Sequence, residues 1–193
     1  MNQTEAQEYL VTPTNITDTI INFCINIYSE NKPGFIRCLE YPQSKAGRCF
    51  ENVNNYISEY GGIKVVGWNI VIFKNVFLQA ESHAVWEDES GVLYDVSPQE
   101  QKAILFLKDN QLQNLESPIK SKYLVLSESK ISTEFVKLRE SIDERIMLCK
   151  PISEQEVLLN LAYINRFNQA QNKNQFCACE SGIKYRNCCG KSV

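Results

Sequence analysis

The sequence is short of several things, and each shortage excludes something. It has no apolar run approaching the 18–20 residues that span a bilayer. Met1 to Leu10 is polar and acidic, with neither the basic start nor the apolar stretch of a secretory signal, which predicts a cytoplasmic protein. There is no internal repeat and no low-complexity segment. Histidine is almost missing: His83 is the only one. A large basic excess is absent as well, since the formal net charge is -3, and this argues against a dedicated nucleic-acid binder. What is present is one ordinary domain's worth of core: 193 residues, 44% hydrophobic and 22% charged. The charge is uneven. Residues 130–193 hold 10 Lys+Arg against 7 Asp+Glu, leaving 10 against 16 for residues 1–129. The eight cysteines of a cytosolic chain point to metal or catalysis rather than to disulfides.

Periodicity predicts an α+β fold. A helix runs from a cap at Thr14 or Asn15, through Ile16, Ile20, Ile21, Cys24, Ile25 and Tyr28, to a stop at Lys32-Pro33-Gly34. Residues 35–46 read as irregular. A second helix starts at Cys49, keeps Phe50, Val53 and Ile57 on one face, and ends at Gly61-Gly62. Strands follow at 63–68, 69–73, 82–87, 92–96, 104–108 and 122–127. Asp88 to Gly91 turns 82–87 back onto 92–96 as a hairpin. Two more helices cover Ile131 to Cys149 and Ser153 to about Asn172, the second opened by the capping box Ser153-Glu154-Gln155-Glu156. The expected organisation is a 1–129 α+β domain, a 130–172 helical extension and a 173–193 tail.

The tail reads Cys177-Ala-Cys179, eight further residues, then Cys188-Cys189-Gly190. Four thiolates in two close pairs suit a tetrahedral zinc ion, and a segment too short for a core of its own folds around the metal. With Ser181-Gly182, Tyr185 and Gly190 inside it, the pattern resembles the SEC-C zinc motif, found at the C-terminus of the preprotein-translocase motor ATPase and of many bacterial proteins. The resemblance implies one structural Zn2+ held by Cys177, Cys179, Cys188 and Cys189. It also implies a knob that docks a protein partner such as a chaperone or the ribosome. Ile183 replaces the Lys common in the motif.

The chemistry-bearing residues upstream are Cys49, His83 and Asp95. Cys49 stands at a helix start, where the thiolate is favoured. If the hairpin loop is 88–90, Glu87 faces Gly91, Val85 faces Leu93 and His83 faces Asp95, a carboxylate beside an imidazole. The plainer reading of each residue is a small buried hydrophobe, a satisfied histidine and a turn cap.

Gly47-Arg48-Cys49, Gly61-Gly62-Ile63, His83-Ala84-Val85-Trp86 and Asp95-Val96-Ser97-Pro98 together resemble the transglutaminase-like branch of the papain-like cysteine hydrolases. The likeness covers about residues 43–98. It is also similar to small bacterial and phage proteins with Cys-Phe-x-Asn followed by His-Ala-x-x. The resemblance implies a helix packed on an antiparallel sheet, with Cys49 as nucleophile, His83 as base and Asp95 as its orienter. Gln43, six residues before Cys49, falls at the offset of an oxyanion-hole glutamine; its plainer reading is a surface loop residue. Two functions are therefore expected in competition: a thiol hydrolase or acyl-transferase, and a non-catalytic adaptor whose zinc tail docks a partner.

Overall fold

The computed structural model describes residues 10–73, 75–127, 129–168 and 172–190. Residues 1–9 of the polar N-terminal decapeptide, residues 74 and 128, and residues 169–171 and 191–193 lie outside them. The expected α+β composition is observed: among the described residues there are four α-helices, a five-stranded barrel and one extra strand. Among the described residues no helix is long and apolar enough to cross a membrane.

Helix α1 (Asp18–Ile27) starts later than the sequence suggested. Thr17, not Thr14 or Asn15, accepts from Ile20 N–H, and Asp18 sits where the helix dipole favours an acid. The chain then forms β1 (Gly34–Cys38), a strand in the stretch expected to be irregular. Pro33-Gly34 marks its start rather than a loop. β1 pairs antiparallel with β5 (Ala103–Lys108) and parallel with β4 (Leu93–Asp95). β2 (Ile63–Phe73) is one strand of 11 residues where two short ones were expected, and Trp68-Asn69 lies in mid-strand. β3 (Phe77–Glu87) begins five residues before the expected 82. Its first four residues are all buried, so no alternation announces them. β6 (Lys122–Val125) pairs with β3. The strand order β2-β5-β1-β4-β3 returns to β2, closing a barrel with β6 added at β3. The sheet is thus not wholly antiparallel as expected, because β1 and β4 run together.

The described residues divide into two compact units through which β2 and β3 both pass. The barrel unit comprises Thr12–Ile70 and Ala80–Ile119. Its interior holds Val65, Val85, Ile104 and Phe106, with Ile36, Cys38 and Leu93 packed on them. Helix α2 (Cys49–Tyr60) lays Phe50 and Val53 on Val66, Ala84 and Val96 outside the barrel wall. Each such side chain contributes about 1.5–3 kcal/mol by leaving water. The expected start and end of α2 are those observed. Gly61 and Gly62 turn the chain at φ +73° and +84°. A Cβ on Gly62 would meet Trp86 Nε1 at 2.4 Å and Glu87 O at 2.5 Å.

The second unit comprises the described residues of Met1–Val11, Val71–Gln79 and Lys120–Val193. Its core stacks Phe135 on Phe167, ring centres 5.8 Å apart, with Phe73 and Phe77 edge-on to Phe135. α3 (Lys130–Met147) is capped by Ser129, whose hydroxyl accepts from Ser132 N–H at 3.2 Å. α4 (Glu154–Asn168) carries the capping box read from the sequence. Ser153 Oγ accepts from Glu156 N–H at 3.2 Å, and Glu156 Oε2 accepts from Ser153 N–H at 2.9 Å. Cys149, expected as the last residue of this helix, is exposed just beyond α3 at φ 51°.

Candidate functional site

His83 is buried on β3 and Asp95, 0% exposed, ends β4. Their register differs from the expected one by two residues. Trp86 pairs with Tyr94 and Glu87 with Leu93, because the turn spans Asp88–Val92 rather than three residues. Asp88 Oδ1 accepts from the N–H groups of Ser90 and Val92, each at 2.9 Å, and so fixes the longer turn. A slip of two keeps both side chains on the same face and makes them diagonal rather than directly opposed. His83 Nε2 still comes within 3.2 Å of Asp95 Oδ1. The N–H does not align on that oxygen, so the contact is an ion pair rather than a well-formed hydrogen bond.

Cys49, at the first residue of α2, completes the group: its thiol lies close enough for His83 and the backbone N–H of Ala84 to act on it. Burial pushes the Cys49 thiol up, but the charge and hydrogen bond of His83, with the Ala84 bond, outweigh it and leave the thiol below its ordinary range. His83 shows the complement. Burial alone would lower it, and the charges of Asp95 and Cys49 raise it well above an ordinary imidazole. Asp95 is pushed up by burial and, more strongly, held down by His83, Ser97 N–H and Gln99. The other two cysteines of this unit behave oppositely. Burial pushes both Cys24 and Cys38 up to about 12, with Asp95's charge adding to the effect at Cys38.

Gln43 stands apart from this group. It is exposed in the turn after Tyr41, and no contact brings it to Cys49 among the described residues. Two residues not singled out for a role, Ser97 and Gln99, hold the Asp95 carboxylate, and a third, Asn52, holds Ser97. Ser97 N–H donates to Asp95 Oδ1 at 2.9 Å and Gln99 Nε2 donates to Oδ2 at 3.0 Å. Buried Asn52 donates to Ser97 Oγ at 3.3 Å. The spacing Asp95-x-Ser97 is an Asx-turn signature and was the available clue to the first of them. Beyond these strand ends a cavity of about 490 Å³ is lined by Cys38, Tyr41, Ser97, Gln99 and Lys102 among others.

The four tail cysteines meet as the spacing predicts. Their Sγ atoms all lie within 4.8 Å of one another. Cys179 and Cys188 are 3.4 Å apart, and Cys188 and Cys189 are 3.9 Å apart. A tetrahedron with metal–sulfur bonds of about 2.3 Å has edges of about 3.8 Å, so the cluster can hold one metal ion. Gly182 at φ +73° and Glu180 at φ 60° turn the loop between the pairs. A Cβ on Gly190 would meet the Tyr185 ring at 2.5 Å. Burial pushes Cys179 up, but bonds from Ser181, Cys188 and Cys177 bring it down to about 6. Burial and neighbouring thiols raise Cys188 and Cys189. Thiols this close cannot all ionise without a cation among them. The cluster is not a free knob. Cys177, Cys179 and Cys189 belong to the phenylalanine core of their unit. Ser129 Oγ donates to Cys179 O, Arg166 Nε to Ala178 O at 2.7 Å, and Asn75 Nδ2 to Cys189 O at 3.3 Å.

The chain matches no protein-family profile, no curated protein and no solved structure.

Proposed function

We propose that the barrel unit is a thiol hydrolase or acyl-transferase of papain-like type, and that the tail holds one structural zinc ion. One observation carries the catalytic reading: the only histidine of the chain is buried between a thiol and a carboxylate, and of the barrel unit's three cysteines only the one beside it is lowered. In this reading the Cys49 thiolate attacks the carbonyl carbon of an amide or ester. The carbonyl π pair moves onto oxygen, where the Cys49 N–H, in a first helical turn with no side-chain cap, donates to it. The pair returns, the C–N or C–O bond breaks, and protonated His83 gives its proton to the departing amine or alcohol. The thioester is then cleaved by water or an amine, His83 taking that nucleophile's proton, and the thiolate departs. Asp95 holds the imidazole charged and oriented. Gln43 supplies the second oxyanion donor only if substrate draws the exposed turn inward.

The test uses a chromogenic thioester and ester series on the zinc-loaded protein. Cys49→Ala and His83→Ala each abolish acyl release while circular dichroism stays at wild type. Unchanged turnover in both variants removes the reading.

A second reading has its own support. Phe176 is 72% exposed and Ile183 48% exposed on the ribbon where Phe176 bridges Lys184. An apolar pair on a metal-fixed ribbon suits a protein contact, and the SEC-C resemblance suggests a cytoplasmic chaperone or the ribosome. Cosedimentation with purified ribosomes, lost in Phe176→Glu and kept in Cys49→Ala, supports the adaptor. No cosedimentation of the wild type counts against its ribosomal form.

A further inference from the structure

Asn52 lies one turn beyond Cys49 on α2 and is 1% exposed. Its amide is fully engaged. Oδ1 accepts from Lys45 N–H at 2.9 Å, and Nδ2 donates to Lys45 O at 2.9 Å and to Ser97 Oγ at 3.3 Å. The two bonds to Lys45 pin the loop that leads into Cys49, turned by Gly47 at φ +70°. The third reaches the residue whose N–H binds Asp95 Oδ1. One side chain thus grips both ends of the Cys49–His83–Asp95 group.

A buried amide is a costly way to fill the inner face of a helix, because each of its polar atoms needs a partner. α2 has no side-chain cap at Arg48. Pinning the incoming loop alone would account for two of the three bonds. The third, to Ser97, is the one that joins the nucleophile's loop to the carboxylate.

We propose that Asn52 is a positioning residue, with Ser97 as its relay, that keeps Cys49 and Asp95 in the register that holds His83 between them. This rests on the catalytic reading above. Without the amide, the Lys45 peptide and the Ser97 hydroxyl lose partners and the turn carrying Asp95 loosens. Groups of this kind work only when held to about 0.5 Å. A carboxylate set further from His83 supports the imidazolium less, and the imidazolium in turn supports the thiolate less.

The experiment measures the rate of Cys49 alkylation against pH in full-length protein, wild type beside Asn52→Ala, Ser97→Ala and Ser97→Thr, with melting curves in parallel. Expected are rates about tenfold lower near neutral pH in Asn52→Ala and Ser97→Ala, equal rates at about pH 10 where every thiol is ionised, and recovery in Ser97→Thr, which keeps the hydroxyl. A purely structural role would lower the melting temperature and leave the pH profile alone, and that result overturns the proposal. Should Asn52→Ala not fold, the Ser97 pair decides by the same criterion. A wild-type thiol with an ordinary profile sinks the catalytic reading itself, and only the wild-type curve reports that.

Discussion

Replacing Cys179 by serine tests the proposed zinc site at its most buried cysteine. Its residue is 0% exposed, and its sulfur lies 3.4 Å from Cys188 Sγ. Serine is nearly isosteric but a poor zinc ligand, so the metal's contribution to folding, on the order of 10 kcal/mol in small zinc sites, falls sharply. A buried hydroxyl without a full set of partners costs about 1–3 kcal/mol more. The ring contacts of Phe135 with Phe73, Phe77 and Phe167 do not involve the substituted sulfur, and they limit the damage. A net loss of about 3 kcal/mol is a conservative outcome, and for a chain this long it lowers Tm by roughly 6–12 °C. The assay pairs metal analysis with thermal melts, with and without a chelator, and uses exposed Cys149→Ser as control. Wild type and control should bind one zinc and lose stability on chelation. Cys179→Ser should bind none and respond to the chelator not at all. One tightly held zinc and a wild-type Tm in Cys179→Ser would refute the reasoning.

The remaining predictions concern core, backbone and pH. Phe135→Ala removes the ring that Phe73, Phe77 and Phe167 share and should cost about 3–5 kcal/mol, measured by denaturant unfolding; a cost under about 1 kcal/mol would contradict the packing. Gly67→Ala puts a Cβ 2.2 Å from Leu107 O, so β2 and β5 must part; unchanged stability of the barrel unit would mean they do not approach this closely. His83 is raised, so its share of stability is full below about pH 6.5 and fades as pH climbs through its folded value. Asp95 is lowered, so its share is present above about pH 3.9 and fades as pH falls through its folded value. Asp95→Asn should therefore lose most stability between about pH 4 and 6.5, and an equal loss at every pH would point to packing alone.

What could be read from the sequence follows from what leaves a local trace. Gly61-Gly62, Ser153 with Glu156, and the two cysteine pairs each act within a few residues, and each is where it was expected. The register of β3 on β4 was not legible, because it depends on how far Asp88's side chain draws out the turn. Strand β1 was missed because five residues after Pro33 carry too little pattern, and its pairing comes from β4 and β5, about 55 to 75 residues away. The early half of β3 was hidden by burial on both faces. His83 and Asp95 were paired for the wrong registry reason and still meet, since a shift of two preserves the face. Asn52 carried no signal of its role. Its two partners, Lys45 and Ser97, lie on two loops that only the folded barrel brings to one helix.

The central claim is that Cys49 and His83 form a working pair. Its most direct test is the rate of Cys49 alkylation against pH, read by peptide mass spectrometry on zinc-loaded protein, with His83→Ala beside it. A working pair gives a thiolate that reacts well below the ordinary cysteine value of about 8.5 and loses that reactivity in His83→Ala. A slow thiol that titrates near 8.5 and ignores the loss of His83 would contradict it.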